Sequence, residues 1–309
     1  MITSKKTILC VLLFGVLLLF FSSCNSTFDP LEENDQYFFS MYGYLDASAD
    51  TQWVRIMPLS ETLYPDSAFL DSTDVNVTLH SLETDELITM QDSVFHFVND
   101  ISAWNFSTTH QLQPDHTYLL SATNAEGNSS QTSISIPEEF PTPVVYLGIS
   151  TTGEIINAVV EIQGVENLAD LQSIYQVYFL NPGDEECPSE LPDNNTRVFS
   201  IPNADKANRT NNGFVANLSI VEDERYIRSR IGTSTATCIY PQQFFIASAN
   251  EEWLDFSVID DEIISLPEGI SNIENGVGYM VGIYSKTIPF KSCMDGNLPV
   301  PCEEESRIN

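Results

Sequence analysis

From Tyr37 onward, apolar and polar positions alternate with a period of two, the pattern of half-buried strands rather than of helices. Residues 37–45 form the first run. In the second, Trp53, Arg55 and Met57 alternate against Val54, Ile56 and Pro58. A third sets Val75, Val77 and Leu79 against Asn76, Thr78 and His80. Runs over 94–98, 117–122 and 130–136 follow, the last two joined by the turn Asn124-Ala125-Glu126-Gly127-Asn128. Pro137, Pro141 and Pro143 then punctuate the chain. A second strand series covers 144–149, 155–162, 174–180, 197–201, 214–221, 244–249 and 278–285. The stretches 169–173 and 249–254 read as short helical pieces, and 181–195 and 203–212 as loops.

Short strands at regular spacing imply an all-β chain. An Ig/fibronectin-III-like antiparallel sandwich is expected over 37–138, followed by a second β-rich domain over 139–309. One local signature sharpens the first. Leu112-Gln113-Pro114-Asp115-His116-Thr117-Tyr118 resembles the corner that opens a late strand of such sandwiches. Pro turns the chain there, Leu packs inward, and the Tyr hydroxyl bonds back to upstream backbone.

The first 23 residues follow other rules. Lys5 and Lys6 precede an apolar run over 8–21, too short to span a bilayer comfortably and typical of a secretory signal peptide. It ends in Phe21-Ser22-Ser23-Cys24, which resembles a bacterial lipobox with Phe where Leu is usual. That resemblance implies cleavage after residue 23 and lipidation of Cys24, with several acyl chains holding the protein at a membrane without spanning it. Residues 24–36 are polar and acidic and read as a flexible tether. Their acids loosely resemble the surface-export signal of Bacteroidota lipoproteins.

Charge enters here. The chain has 12 Lys+Arg against 44 Asp+Glu, a net charge of −32. Losing residues 1–23 removes Lys5 and Lys6 and no acid, which leaves 10 against 44, or −34. No Lys or Arg lies between Arg55 and Arg197. A phosphate-binding surface needs clustered cations, so nucleic acid is excluded as a partner. The self-repulsion of such a chain requires screening counter-ions, which suits solvation in a saline setting.

Beyond Cys24 there are four cysteines, Cys187, Cys238, Cys293 and Cys302. An even number in an exported chain implies two disulfides. Cys293 and Cys302 bracket a turn-rich octapeptide and are paired on that ground, which leaves Cys187 with Cys238. A zinc site would want a C-x-x-C knuckle, and none is present. All four histidines, His80, His96, His110 and His116, fall in the first strand series, with no Cys or close carboxylate to complete a metal shell, so no cofactor or metal is expected.

Pro267-Glu268-Gly269-Ile270-Ser271-Asn272-Ile273-Glu274-Asn275-Gly276-Val277-Gly278-Tyr279 resembles the C-terminal S-N-I-x-x-G-x-G element of a large family of Bacteroidota outer-membrane lipoproteins known only as a domain of unknown function. Tyr42-Gly43-Tyr44-Leu45 followed by Gln52-Trp53-Val54-Arg55-Ile56 fits its first strand pair. The resemblance covers nearly the whole chain and implies an outer-membrane location and, by gene association, a TonB-dependent receptor as partner. It carries no catalytic residues. In physical terms Gly276 and Gly278 serve a turn into a strand, and Asn272 and Asn275 tolerate left-handed geometry.

The chemistry that remains is sparse. Adjacent acids such as Glu138-Glu139 and Glu251-Glu252 point apart on a strand, and no G-x-S-x-G elbow exists. Trp53, Trp104 and Trp253 could stack on sugars, although packing in the core or at its rim is the simpler reading. The expectation is a non-enzymatic binding or accessory lipoprotein. A surface hydrolase and a structural or adhesive envelope protein stand as alternatives.

Overall fold

The computed structural model describes residues 37–59, 74–96, 102–180, 186–188, 195–232, 237–250, 253–254, 270–291, 293–295 and 298–300. The signal peptide, the tether, Cys24 and Cys302 lie outside them.

The chain is all-β. β1 (Phe39–Asp46), β2 (Gln52–Pro58), β5 (Gln91–His96) and β6 (Ser102–Thr108) lie in one sheet, and β3 (Asn76–Ser81), β4 (Leu87–Thr89), β7 (Thr117–Thr123) and β8 (Ser129–Ser135) form the facing one. Alternation decides which side chains meet. Val54 and Ile56 of β2 point inward while Trp53, Arg55 and Met57 point out. In β7, Tyr118, Leu120 and Ala122 are buried. The inward residues of both sheets, with Leu112 and Phe106, make one core. The corner at 112–118 closes as expected, with the Gln113 amide donating to the Tyr118 hydroxyl at 2.9 Å. This half is an immunoglobulin/fibronectin-like sandwich.

The second half adds β9 (Val144–Ile149), β10 (Ile155–Gln163), β11 (Asn167–Phe179), β12 (Thr196–Pro202), β13 (Ala207–Thr210), β14 (Gly213–Ser219) and β15 (Thr237–Ala249). β13-β14-β10-β9 form one sheet, which packs through Val160, Ile162, Ala216 and Leu218 onto Leu171, Tyr175, Val177, Phe244 and Ile246 of β11 and β15.

Two of the expected helical pieces are corrected. Residues 169–173 are extended and belong to β11, because Leu171, Ser173, Tyr175 and Val177 alternate inward with Asp170, Gln172 and Ile174 on the other side. Ala249 ends β15, and no helix follows it among the described residues. The helix instead lies at Ile220–Ile231 (α1), where a strand was expected to run through Val221. The Ser219 hydroxyl accepts the Glu222 amide, acids fill the first turn and Arg228 and Arg230 the last. Ile220, Asp223 and Ile227 form its buried face. The stretch 203–212 is not all loop; it contains a short 3-10 turn (Ala204–Lys206) and β13.

One strand unites the halves. β16 (Gly276–Pro289) pairs in parallel with β1 from Phe39↔Gly276 to Asp46↔Ile283, then antiparallel with β15 from Ala249↔Ile283 to Gln243↔Pro289. The result is an eight-stranded sheet ordered β12-β11-β15-β16-β1-β2-β6-β5. Met280 enters the first core, Ile288 the second, and Tyr284 packs against both.

The glycine-asparagine element makes this pairing possible. A Cβ at Gly278 (φ +124°) would lie 2.1 Å from the Met41 carbonyl oxygen, and one at Gly276 2.6 Å from that of Phe39. Asn275 takes φ 53°, as its residue type permits; Asn272 does not show positive φ and serves otherwise. Its side-chain amide accepts from the Met280 N–H at 3.0 Å and donates to the Met280 carbonyl at 2.6 Å, standing in for a neighbouring strand. Thr132 donates to the Asn272 carbonyl at 2.8 Å, and Gln131 exchanges backbone bonds with Glu274, which laces β8 of the facing sheet to the same segment.

A buried carboxylate fixes the place where β16 leaves β1. Asp46 Oδ2 accepts from the Ser285 hydroxyl at 2.6 Å, and Oδ1 accepts from the Ser48 amide at 2.9 Å and hydroxyl at 2.8 Å. Gln52 brackets the Asp46 backbone, accepting from its N–H at 2.9 Å and donating to its carbonyl at 2.8 Å. These donors replace the water the carboxylate gave up on burial.

Cys187 and Cys238 form a disulfide with 5.7 Å between Cα atoms and a sequence separation of 51. It ties the β11–β12 connection to the start of β15, beside a bond from the Tyr240 hydroxyl to the Pro188 carbonyl at 2.7 Å. Cys293 heads a short strand (Cys293–Asp295, β17) paired with Leu298–Val300 (β18), and its expected bond to Cys302 falls outside the described residues.

Three outcomes are expected. Gly278→Val destabilises the protein by on the order of 3 kcal/mol, read from urea unfolding, because steric conflict and backbone strain coincide there. A fragment ending at residue 138 lacks β16 and gives no cooperative transition. Replacing both Cys187 and Cys238 by Ser costs about 4 kcal/mol, the loop-closure value for a ring of that length, and lowers the thermal midpoint accordingly.

Candidate functional site

Three of the four histidines, His80, His110 and His116, are dispersed, each beside its own acid. His80 Nε2 lies 2.8 Å from Asp85, His110 Nδ1 3.7 Å from Glu86, and His116 Nδ1 3.9 Å from Glu83. Among the described residues no three His, Cys, Asp or Glu side chains gather as a metal shell would.

The densest titratable cluster is interior. On β11, the Tyr175 hydroxyl donates to Asp223 Oδ2 at 2.6 Å across to the first turn of α1, and Lys206 Nζ stands 3.8 Å from Oδ1. Asn203 joins through a 2.8 Å bond to Ser173. Tyr175, Ser173, Asn203 and Asp223 are all buried. Burial pushes the Asp223 carboxyl above the usual carboxylate range, against the lowering effect of the Tyr175 bond and the Lys206 charge. Burial likewise raises the Tyr175 phenol, so it remains a donor. Its geometry is that of a buried core network that docks α1 on β11, with Asn203 Oδ1 left without a hydrogen-bond partner among the described residues.

The outward face of the eight-stranded sheet is different. Ala247, Ala249, Val281 and Ile283 form a small apolar floor, with Ala169, Phe245, Trp253 and Tyr279 packed against it. Above it lies an open groove of about 360 Å³, walled by Tyr44, Phe245 and Trp253 and bordered by Asp170, Gln172 and Ile174. Four adjacent strands, β11, β15, β16 and β1, present these side chains, so a rigid scaffold sets their spacing. The Trp253 amide donates to the Asn250 carbonyl at 3.0 Å, and the next amide, of Leu254, donates to the Tyr279 hydroxyl at 3.1 Å.

Among the described residues Asp170 is the one acid on the groove's border. Gln172 donates to its Oδ2, and burial raises its proton affinity above the ordinary carboxylate value. Among the described residues no Lys, Arg or His forms an ion pair with it. Farther along the same face Tyr42 is exposed, and Trp53 meets Phe95 with ring centroids 5.4 Å apart and ring planes tilted by 47°. Of the three tryptophans, Trp104 is the one partly buried against the first core, and Trp253 lines the groove. Asp170 and Gln172 are not among the candidate residues read from the sequence, because in a helix over 169–173 the two would not share a face, as they do with Ile174 on β11.

No protein-family model matches the chain, and no curated protein matches it. Among solved structures it is similar to the fibronectin domains FN1–FN3 of chicken CNTN1, at 11% identity and a TM-score of 0.26, over 68% of this chain and 59% of that one. The fold assignment rests on the facing sheets and the tyrosine corner, not on that likeness.

Because the Asp223 pKa is raised on folding, its contribution to stability is present at low pH and lost as pH rises through the elevated value. Asp223→Asn, which keeps an acceptor for Tyr175, is expected to remove that slope. Wild type should lose stability relative to the variant as pH rises above the ordinary carboxylate range, about pH 4, in urea titrations. Parallel curves would show that Asp223 ionises alike in both states.

Proposed function

We propose that the chain is a lipid-anchored outer-membrane binding protein, tethered through Cys24 and acting beside a TonB-dependent receptor rather than as an enzyme. The observation that carries the binding part is the open, aromatic-walled groove on a rigid sheet face, bordered among the described residues by the Asp170 carboxylate. A retaining or inverting glycosidase needs two carboxylates facing each other across the bond to be cut. A rigid shallow face instead suits recognition of a ligand that is then passed on. The lipobox pattern at Phe21-Ser22-Ser23-Cys24 and the acidic tether support display from a membrane, with residues 24–36 setting the reach.

The anchor is tested by growing cells with an alkynyl fatty acid. The wild-type chain is expected to carry the label and to fractionate with outer membrane, and Cys24→Ala is expected to lose both. Label on the Ala variant would overturn the anchor. For the partner, native detergent extraction should bring down a TonB-dependent receptor with the tagged chain. Its repeated absence would leave an anchored protein with no receptor role.

A further inference from the structure

We propose that the groove over Ala169, Ala247, Val281 and Ile283 receives a basic side chain, lysine or arginine, presented by a partner polypeptide. This deepens the binding function above and rests on it.

The shape and the charge lead to the same ligand. A lysine or arginine side chain is an apolar stem ending in a cation, and it buries the stem readily when the head finds a partner. Here the floor is apolar, and Tyr44, Phe245 and Trp253 supply π faces that attract a cation. At the border stands Asp170, half-buried, oriented by Gln172 and without an ion-pair partner among the described residues. A carboxylate in apolar surroundings is costly to keep ionised, and an incoming cation relieves that cost directly. The wider field has the same sign. The chain is strongly acidic, with no Lys or Arg between Arg55 and Arg197, a stretch that includes the whole of β11. A basic ligand is therefore drawn in, and an acidic one repelled. A neutral sugar could use the aromatic walls and donate hydroxyls to the carboxylate, but would leave its charge uncompensated.

The test uses the full chain in detergent, with the Trp253 indole N–H followed by nuclear magnetic resonance and assigned from Trp253→Phe. Acetylated, amidated pentapeptides with Lys, Arg, norleucine or Glu at the centre are titrated in, and maltose serves as the neutral sugar. The Lys and Arg peptides are expected to shift the Trp253 signal. Asp170→Asn is expected to weaken them by about tenfold, the scale of one charge-assisted contact. The same affinity should fall with added salt, and fall in the unaltered chain as pH drops through the Asp170 value, a readout that does not depend on the variant folding. Norleucine binding as tightly as Lys, or an Asp170→Asn chain with unchanged affinity for Lys, would overturn the cationic ligand and leave an apolar site. Maltose shifting Trp253 while no peptide does would overturn it in favour of a saccharide, with the binding function intact. No shift with any probe would overturn the inference, and the receptor extraction then decides the function separately.

Discussion

The parallel pairing of β1 with β16 is the constraint on which the rest of the structure depends. It joins strands more than two hundred residues apart in sequence. Backbones approach so closely at Gly276 and Gly278 that no side chain fits, and the Asn272 amide completes hydrogen bonds that a further strand would otherwise supply. Closing so long a loop has an entropic cost, which the two cores flanking β16 offset together. Met280 in one and Ile288 in the other are each worth roughly 1.5–3 kcal/mol of burial.

That constraint also creates the open face. Because β16 passes from one sandwich to the other, the two inner sheets merge into a single sheet of eight strands, and its far side receives no covering layer among the described residues. Small residues at Ala169 and Ala247 then leave a depression instead of a ridge. Asp46 and Ser285 hold the junction from which the groove extends, so the groove's geometry depends on the same bonds that keep β1 and β16 in register. The acidity of the chain sets the electrical character of this face. Carboxylates that lose water there, such as Asp170, become harder to ionise.

Much of the fold was legible wherever one side of a strand is wet. Val54 and Ile56 against Trp53 and Arg55, or Tyr118 and Leu120 against Leu119 and Ser121, state both the strand and its inward face. The corner at Leu112–Tyr118 was equally readable, because proline geometry and a tyrosine hydroxyl act over a few residues. β11 was harder. Its outward positions include Ile174 and its inward ones include Ser173, so hydropathy alone blurs the alternation. The α1 start was signalled by Ser219 and Glu222 at capping-box spacing, but the strand that runs directly into it masked the boundary.

What the sequence determined by itself is local: strands with a period of two, a tyrosine corner, and a strongly acidic charge. The pairing of Cys187 with Cys238, reached in the sequence only by elimination after Cys293 was assigned to Cys302, is present in the structure. Tertiary structure alone decided that β16 belongs to both halves and that Tyr44, Phe245, Trp253 and Asp170 line one groove. The reason is distance along the chain. Periodicity and turn chemistry act over a few residues, whereas the groove assembles from strands whose neighbours are fixed only when distant backbones meet.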